Sequence, residues 1–222
     1  MTTVLAFDCA ISGLGIAVVR NGECVASCRD EARDQSESLL PAIARLLGEH
    51  RIDKHELSMI AVTTGPGSFT GVRVGLAAGR GLAAALAIPL AGIATTRTLL
   101  EQAGERGGRL VVAAIDSRLG DWFCALDEGD KAPFLASTTA LKERLNGRVS
   151  LIVGPQATTL APQLDNSVAQ IAFPDPATIA RLALTRGIEG WREENRRDGL
   201  PRPLYLRGVN VTLPDGARRT VE

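Results

Sequence analysis

The sequence predicts an α/β protein made of two lobes that repeat one plan, and three observations lead there. A short apolar strand ending on Asp, a turn, a second strand, a turn and a third strand occur near residue 4 and again near residue 111. In each half a helical stretch follows, then a buried-looking strand that ends on Gly-Pro, at Gly65-Pro66 and at Gly154-Pro155. A stretch at 102–109, rich in glycine and charge, separates the halves. Two unrelated segments would not place Asp and Gly-Pro in parallel, so the chain is expected to hold two βββαβα lobes, residues 1–104 and 105–222, with a cleft between them.

In order along the chain, residues 4–7 form a strand ending on Asp8, and after the connection CAISGL a second strand runs over 15–19. Asn21-Gly22 closes it, because a type I′ turn needs positive φ at both central positions, and a third strand covers 24–28. Residues 36–49 place Leu39, Leu40, Ile43, Leu46 and Leu47 on one helical face. A strand at 59–64 leads into the glycine turn and a helix over about 70–86. In the second half, strands are expected at 111–115, 122–126 and 132–136, with Asp116 after the first and Glu128-Gly129 turning before the third. A helix at 138–145 and a strand at 150–153 follow. Asp175-Pro176 supplies an N-cap and a first-turn proline for a helix that Gly187 stops. A short charged helix is expected at 191–197, and Pro201, Pro203 and Pro214 make the end of the chain extended.

Composition narrows the class. The 222 residues are 45% hydrophobic, enough to bury one or two cores without staples. Lys plus Arg is 25 and Asp plus Glu is 25, so no global positive field holds a polyanion by counterion release. Cys9, Cys24, Cys28 and Cys124 fall in or beside apolar runs and lack zinc spacing; all four are expected as reduced packing residues of a cytoplasmic protein. Asp8 comes too early for a secretory leader, and no apolar run reaches the ~20 residues of a membrane span. His50 and His55 flank a polar loop and are expected at the surface; no metal site is expected. No G-x-S-x-G elbow or nucleophile-base pair is visible, which leaves a protease without machinery.

The most informative run is GPGSFTGVRVGLAAGR, residues 65–80. Gly67, Ser68 and Thr70 ahead of a helix leave backbone N–H groups that can hold an anion. No Gly-Lys-Ser/Thr follows, however, and Pro66 removes a donor. Gly71, Gly75 and Gly79 recur at i, i+4 and i+8, a stripe that costs roughly 1 kcal/mol per glycine relative to alanine and so needs a compensating close approach. The approach is either to the same lobe or to a partner's helix. Asp8 and Asp116 either hold Mg²⁺ or position an attacking water, as in a two-lobed ATPase, or simply cap turns; an autonomous ATPase or kinase would use Asp8 with the turn from Ser68 to Thr70.

The lobe plan resembles the actin, Hsp70 and sugar-kinase (ASKHA) superfamily, and GPGSFTGVRVGLAAGRGLA resembles the signature of the bacterial TsaB family, also called YeaZ. FDCA, SESLLPAIARLL, AAIDSRLGDWF and PLYLR extend the resemblance over most of the chain. It implies a two-lobed actin-like fold and a non-catalytic subunit for making N6-threonylcarbamoyladenosine beside the anticodon of tRNA. It also implies pairing with the metal-binding homologue TsaD, or with a second copy, and work alongside the ATPase TsaE. The docking helices would be about 36–47 and 70–86, with Leu39, Leu40, Ile43, Leu47, Gly71, Val74, Gly75, Ala78, Gly79 and Leu82 at the interface. Gln35 stands where the family usually has His, and Gly120-Asp121-Trp122-Phe123 where it commonly has Gly-Glu-Val-Tyr. Cys9-Ala10 after Asp8 and Pro155 after Gly154 replace the superfamily's nucleotide-loop residues, so Asp8, Gly67, Ser68, Thr70, Asp116 and Gly154 are expected as a vestigial site, with ATP or ADP not a cofactor.

Overall fold

The computed structural model describes all residues except 12, 31–33, 105–106, 208, 213–217 and 222, and describes 209–212 and 218–221 by backbone alone. The proline at 214 therefore lies outside the described residues, as does part of the 102–109 linker.

The first half runs β1 (Thr3–Asp8), β2 (Leu14–Arg20), β3 (Glu23–Asp30), α1 (Gln35–Glu49), β4 (Met59–Thr63), α2 (Phe69–Leu86), β5 (Leu90–Ile93) and α3 (Thr95–Gln102). The second runs β6 (Leu110–Asp116), β7 (Trp122–Leu126), β8 (Phe134–Ala136), α4 (Thr138–Leu145), β9 (Ser150–Val153), α5 (Ala157–Leu160) and β10 (Ser167–Val168). The chain ends in α6 (Pro176–Asp198) and a hairpin of β11 (Val209–Thr212) and β12 (Arg218–Val221).

The duplicated plan is the architecture. One sheet has the order β3-β2-β1-β4-β5 and the other β10-β9-β6-β7-β8. In each, two antiparallel pairings join the hairpin strands and two parallel pairings join the rest. Asn21 at φ 50 and Gly22 at φ 92 make the expected turn between β2 and β3. β8 begins two residues later than the sequence suggests, because the Asp130 carboxylate accepts from Ala132 N–H at 3.0 Å and prolongs the turn.

Five layers result. The central strands of the first sheet are buried on both faces. Leu5, Phe7, Ile60, Val62 and Leu90 face α1 and α2, while the small side chains Ala6, Ala17, Ala61 and Ala91 face α6. α3 covers the inner face of the second sheet through Leu99 and Leu100, and α4 and α5 cover its outer face. α6, assigned by sequence to the second lobe, packs on the first sheet. Gly187, at φ 75 and ψ 167, interrupts it where the stop was expected. Cys9 and Cys124 are buried, but Cys28 is half-buried and Cys24 exposed, because β3 is the outer strand and its turn end stands clear. His50 and His55 are exposed.

Candidate functional site

The loop after β1 and the turn before α2 are built against each other. The Asp8 carboxylate, 3% exposed, accepts from Thr63 Oγ1 at 2.6 Å and from Ala10 N–H at 3.0 Å. Burial outweighs these hydrogen bonds and pushes its pKa up to about 6. Ala10 carbonyl in turn accepts from Ser68 N–H at 2.7 Å, and Ser68 Oγ caps α2 by accepting from Gly71 N–H at 3.2 Å. Gln35, at the start of α1, donates its side-chain amide to the Ile11 and Gly13 carbonyls and fixes the far side of the loop.

Those contacts decide what the glycines are for. A Cβ on Gly67 would lie 2.3 Å from Ala10 carbonyl oxygen, one on Gly71 1.9 Å from Cys9 carbonyl oxygen, and one on Gly154 2.0 Å from Ala114 carbonyl oxygen. At the three positions a backbone carbonyl stands where a side chain would have to go, and the Ser68 and Gly71 N–H donors are taken inside the chain. Asp116 caps its own turn, accepting from Arg118 N–H at 2.7 Å, while its backbone N–H donates to Gln156 at 3.3 Å. Asp8 and Asp116 are thus engaged within the chain, while Thr70, at the first turn of α2, is exposed. Burial also pushes the Cys9 thiol up and Cys124 to about 12, so neither is a nucleophile near neutral pH. Among the described residues no three His, Cys, Asp or Glu side chains are grouped to hold a metal, and no helix is long and apolar enough to cross a membrane.

The glycine stripe of α2 faces inward, which corrects the expectation that it is the docking surface. Gly71, Gly75 and Gly79 are buried; a Cβ on Gly75 would lie 3.6 Å from Cys9 Cβ, and one on Gly79 would meet Val62 at 2.9 Å and Leu90 at 3.0 Å. The compensating approach for three helical glycines is the chain's own loop and sheet. Leu39 and Ile43 of α1 are likewise core residues. The other predicted interface residues do reach the surface: Leu40 is 51% exposed, and Leu47 of α1 and Val74, Ala78 and Leu82 of α2 are half-buried against the core.

Sequence periodicity missed Ala77, Gly81 and Ala84 on the outermost stripe of α2, because alanine and glycine carry little hydrophobic signal. It also missed Phe69, 52% exposed at the first turn. Between the lobes a groove of about 470 Å³ is lined among others by Arg29, Gln102, Phe173 and Asp175. Gln102 and Arg29 hold that wall, the first donating to Phe173 carbonyl at 3.0 Å and the second lying 3.6 Å over the Phe173 ring.

Comparison with known proteins follows the same lines. Residues 29–184 match the family model described as TsaD, tRNA N6-adenosine threonylcarbamoyltransferase. The chain is 31% identical over 129 residues to the tRNA threonylcarbamoyladenosine biosynthesis protein TsaB of Escherichia coli, covering 58% of this chain and 56% of the relative. It is 30% identical over 164 residues to TsaB of Bacillus subtilis, covering 73% and 65%. The chain thus spans between half and two thirds of these relatives' length. The YeaZ structure from Pseudomonas aeruginosa superposes with a TM-score of 0.72 at 23% identity, over 93% of this chain and 100% of that one. The chain belongs to the family of that transferase model, with TsaB proteins among its relatives, and shares the fold of the YeaZ structure.

Proposed function

We propose that this chain serves the synthesis of threonylcarbamoyladenosine in tRNA as a docking subunit that carries no catalytic group of its own. It pairs with a catalytic TsaD homologue through the outer face of α1 and α2. The observation that carries the reading is on α2: Val74, Ala77, Ala78, Gly81 and Leu82 make an accessible strip of apolar and small residues that another helix can approach closely, and Leu40 of α1 is exposed as well. Asp8 and Asp116 are bonded within the chain and the Ser68 and Gly71 N–H groups are already paired, which supports a role without ATP or ADP. TsaE as a further component, self-pairing on the same strip when the homologue is absent, tRNA reached only through the complex, no membrane, and a cytoplasmic location belong to the same proposal.

Ala78 is the residue to change, since a bulky substitution at Gly75 would disrupt the packing on Cys9 as well as any interface. Ala78→Trp is expected to abolish co-purification with the TsaD homologue while the thermal unfolding midpoint stays near that of the parent. Undiminished co-purification would remove the docking face from the proposal. Calorimetric titration with Mg-ATP tests the rival ATPase or kinase; micromolar binding lost in Asp8→Ala would favour it.

A further inference from the structure

At the N-terminal end of the α2 strip lies a cluster that the pairing of two apolar faces does not require. Arg73 stacks its guanidinium 3.7 Å over the Phe69 ring and donates from Nε to the Tyr205 hydroxyl at 3.0 Å. Phe69 and Tyr205 are 6.1 Å apart between ring centroids and are 52% and 47% exposed. Phe69 and Arg73 stand one turn apart on α2, and the third group comes from a distant part of the chain. Tyr205 is delivered by the segment after α6, whose Leu204 N–H donates to Thr64 carbonyl at 2.8 Å and whose Pro201 carbonyl accepts from Arg80 at 2.6 Å.

We propose that the Phe69, Arg73 and Tyr205 cluster is the charged anchor of the α2 docking face, and that it receives a carboxylate from a helix of the protein partner laid along α2. The inference rests on the docking reading above and names the chemistry at one end of it. α2 carries Arg73 and Arg80 and no acidic residue, and among the described residues no carboxylate pairs with Arg73. A stacked guanidinium with Nε already bonded is held in place, and its two terminal amino groups are left to face a bidentate acceptor. Ordering costs little on binding, because the rings have fixed Arg73 beforehand. The position selects a protein and not an RNA: Arg73 continues at i+4 and i+8 into exposed Ala77 and Gly81, small side chains suited to a close helix, whereas a nucleic-acid track needs a row of cations. Tyr, Phe and Arg at the end of such a strip have the composition of interface hot spots.

The test measures equilibrium binding of the full chain to its TsaD homologue at low and at high salt, for the parent, Arg73→Met and Ala78→Trp. Methionine keeps an apolar stem against Phe69 and removes the charge. Arg73→Met is expected to weaken binding about tenfold or more at low salt and to flatten the salt dependence, as for a lost charge-assisted hydrogen bond. Parent-like affinity in Arg73→Met, with binding abolished in Ala78→Trp, overturns the anchor and leaves the docking face standing. Parent-like affinity in both variants overturns both. A loss with unchanged salt dependence overturns the carboxylate, and full partner affinity with weaker retention of tRNA by the complex assigns the cluster to nucleic acid instead. Thermal unfolding of each variant guards against misfolding; if Arg73→Met is unfolded, Arg73→Gln replaces it with the same expected outcomes.

Discussion

At the scale of single residues, space and solvation separate positions that look alike in sequence. Gly71 and Gly75 stand one helical turn apart, yet a Cβ at the first meets Cys9 carbonyl oxygen at 1.9 Å, while at the second its nearest neighbour is Cys9 Cβ at 3.6 Å. Gly75→Ala therefore gains helix propensity without a clash and is expected to stabilise the protein by up to about 1 kcal/mol. Gly71→Ala is expected to cost several times that, on the order of 3 kcal/mol, because backbone must move. Urea midpoints in the reverse order would show that the loop after β1 yields easily. Asp8 offers a second contrast. Its folded pKa of about 6 lies above the ordinary 3.8, so the folded state binds a proton more tightly than the unfolded one. Stability from this group is fully present below pH 4 and is lost as pH rises through 6, a swing of roughly 3 kcal/mol. Asn at this position keeps an acceptor for Thr63 and Ala10 and does not titrate. Stability curves of the parent and Asp8→Asn should diverge between pH 4 and pH 6, and parallel curves would show that Asp8 is solvated.

At the scale of elements, the free edges of the first sheet are treated differently. β5 is an edge strand of four residues, and Asn195 of α6 both donates to Leu90 carbonyl at 3.0 Å and offers Oδ1 to Leu90 N–H at 2.9 Å. Pro201 then closes on Gly92, where a Cβ would come within 2.6 Å. One side chain thus completes a strand edge that would otherwise be open to another chain. Asn195→Ala is expected to cost about 1–3 kcal/mol and to speed amide exchange at Leu90; exchange unchanged there would mean that water serves equally well. None of this was legible in sequence. β1, β2, β4, β6, β7 and β9 announce themselves as apolar runs closed by turn residues, and α1 by its leucines. β5 and α3 went unread because LAGI is short and TTRTLLEQ mixes polar with apolar residues without a clean period. The glycine stripe was legible as a close approach, but its side was not, since the same i, i+4, i+8 spacing serves a loop of the same lobe as well as a foreign helix. Only the inward placement of Cys9 and Val62 against it decides the matter.

At the scale of the molecule, the two lobes are less separate than the duplication suggests. α3 belongs by sequence to the first half, yet Leu99 and Leu100 are buried in the second sheet's inner core together with Val111, Ala113, Ile115, Leu151 and Val153. Ile11, from the loop after β1, lies in the same cluster. α6 comes after the second sheet in the chain and fills the inner face of the first. Arg207 also pairs with Asp121 across the lobes, although both are partly exposed and an isolated pair of that kind contributes little. Each sheet therefore owes one face to a segment from the other half of the sequence, and neither half can bury its apolar strands alone. A single cooperative unfolding transition follows. Two tryptophans report the lobes separately: Trp191, 6% exposed, sits in the core between α6 and the first sheet, and Trp122, 9% exposed, in the outer core of the second. Trp122→Phe and Trp191→Phe each leave one reporter, with Trp122 giving up a hydrogen bond to Thr138 and Trp191 one to Ala183 carbonyl. In each variant, urea denaturation followed by fluorescence should coincide with loss of helix followed by circular dichroism, with the slope expected for the whole chain. Two separated midpoints within one variant would show that a lobe persists alone, and that the shared layer of α3 and α6 does not bind the halves into one folding unit.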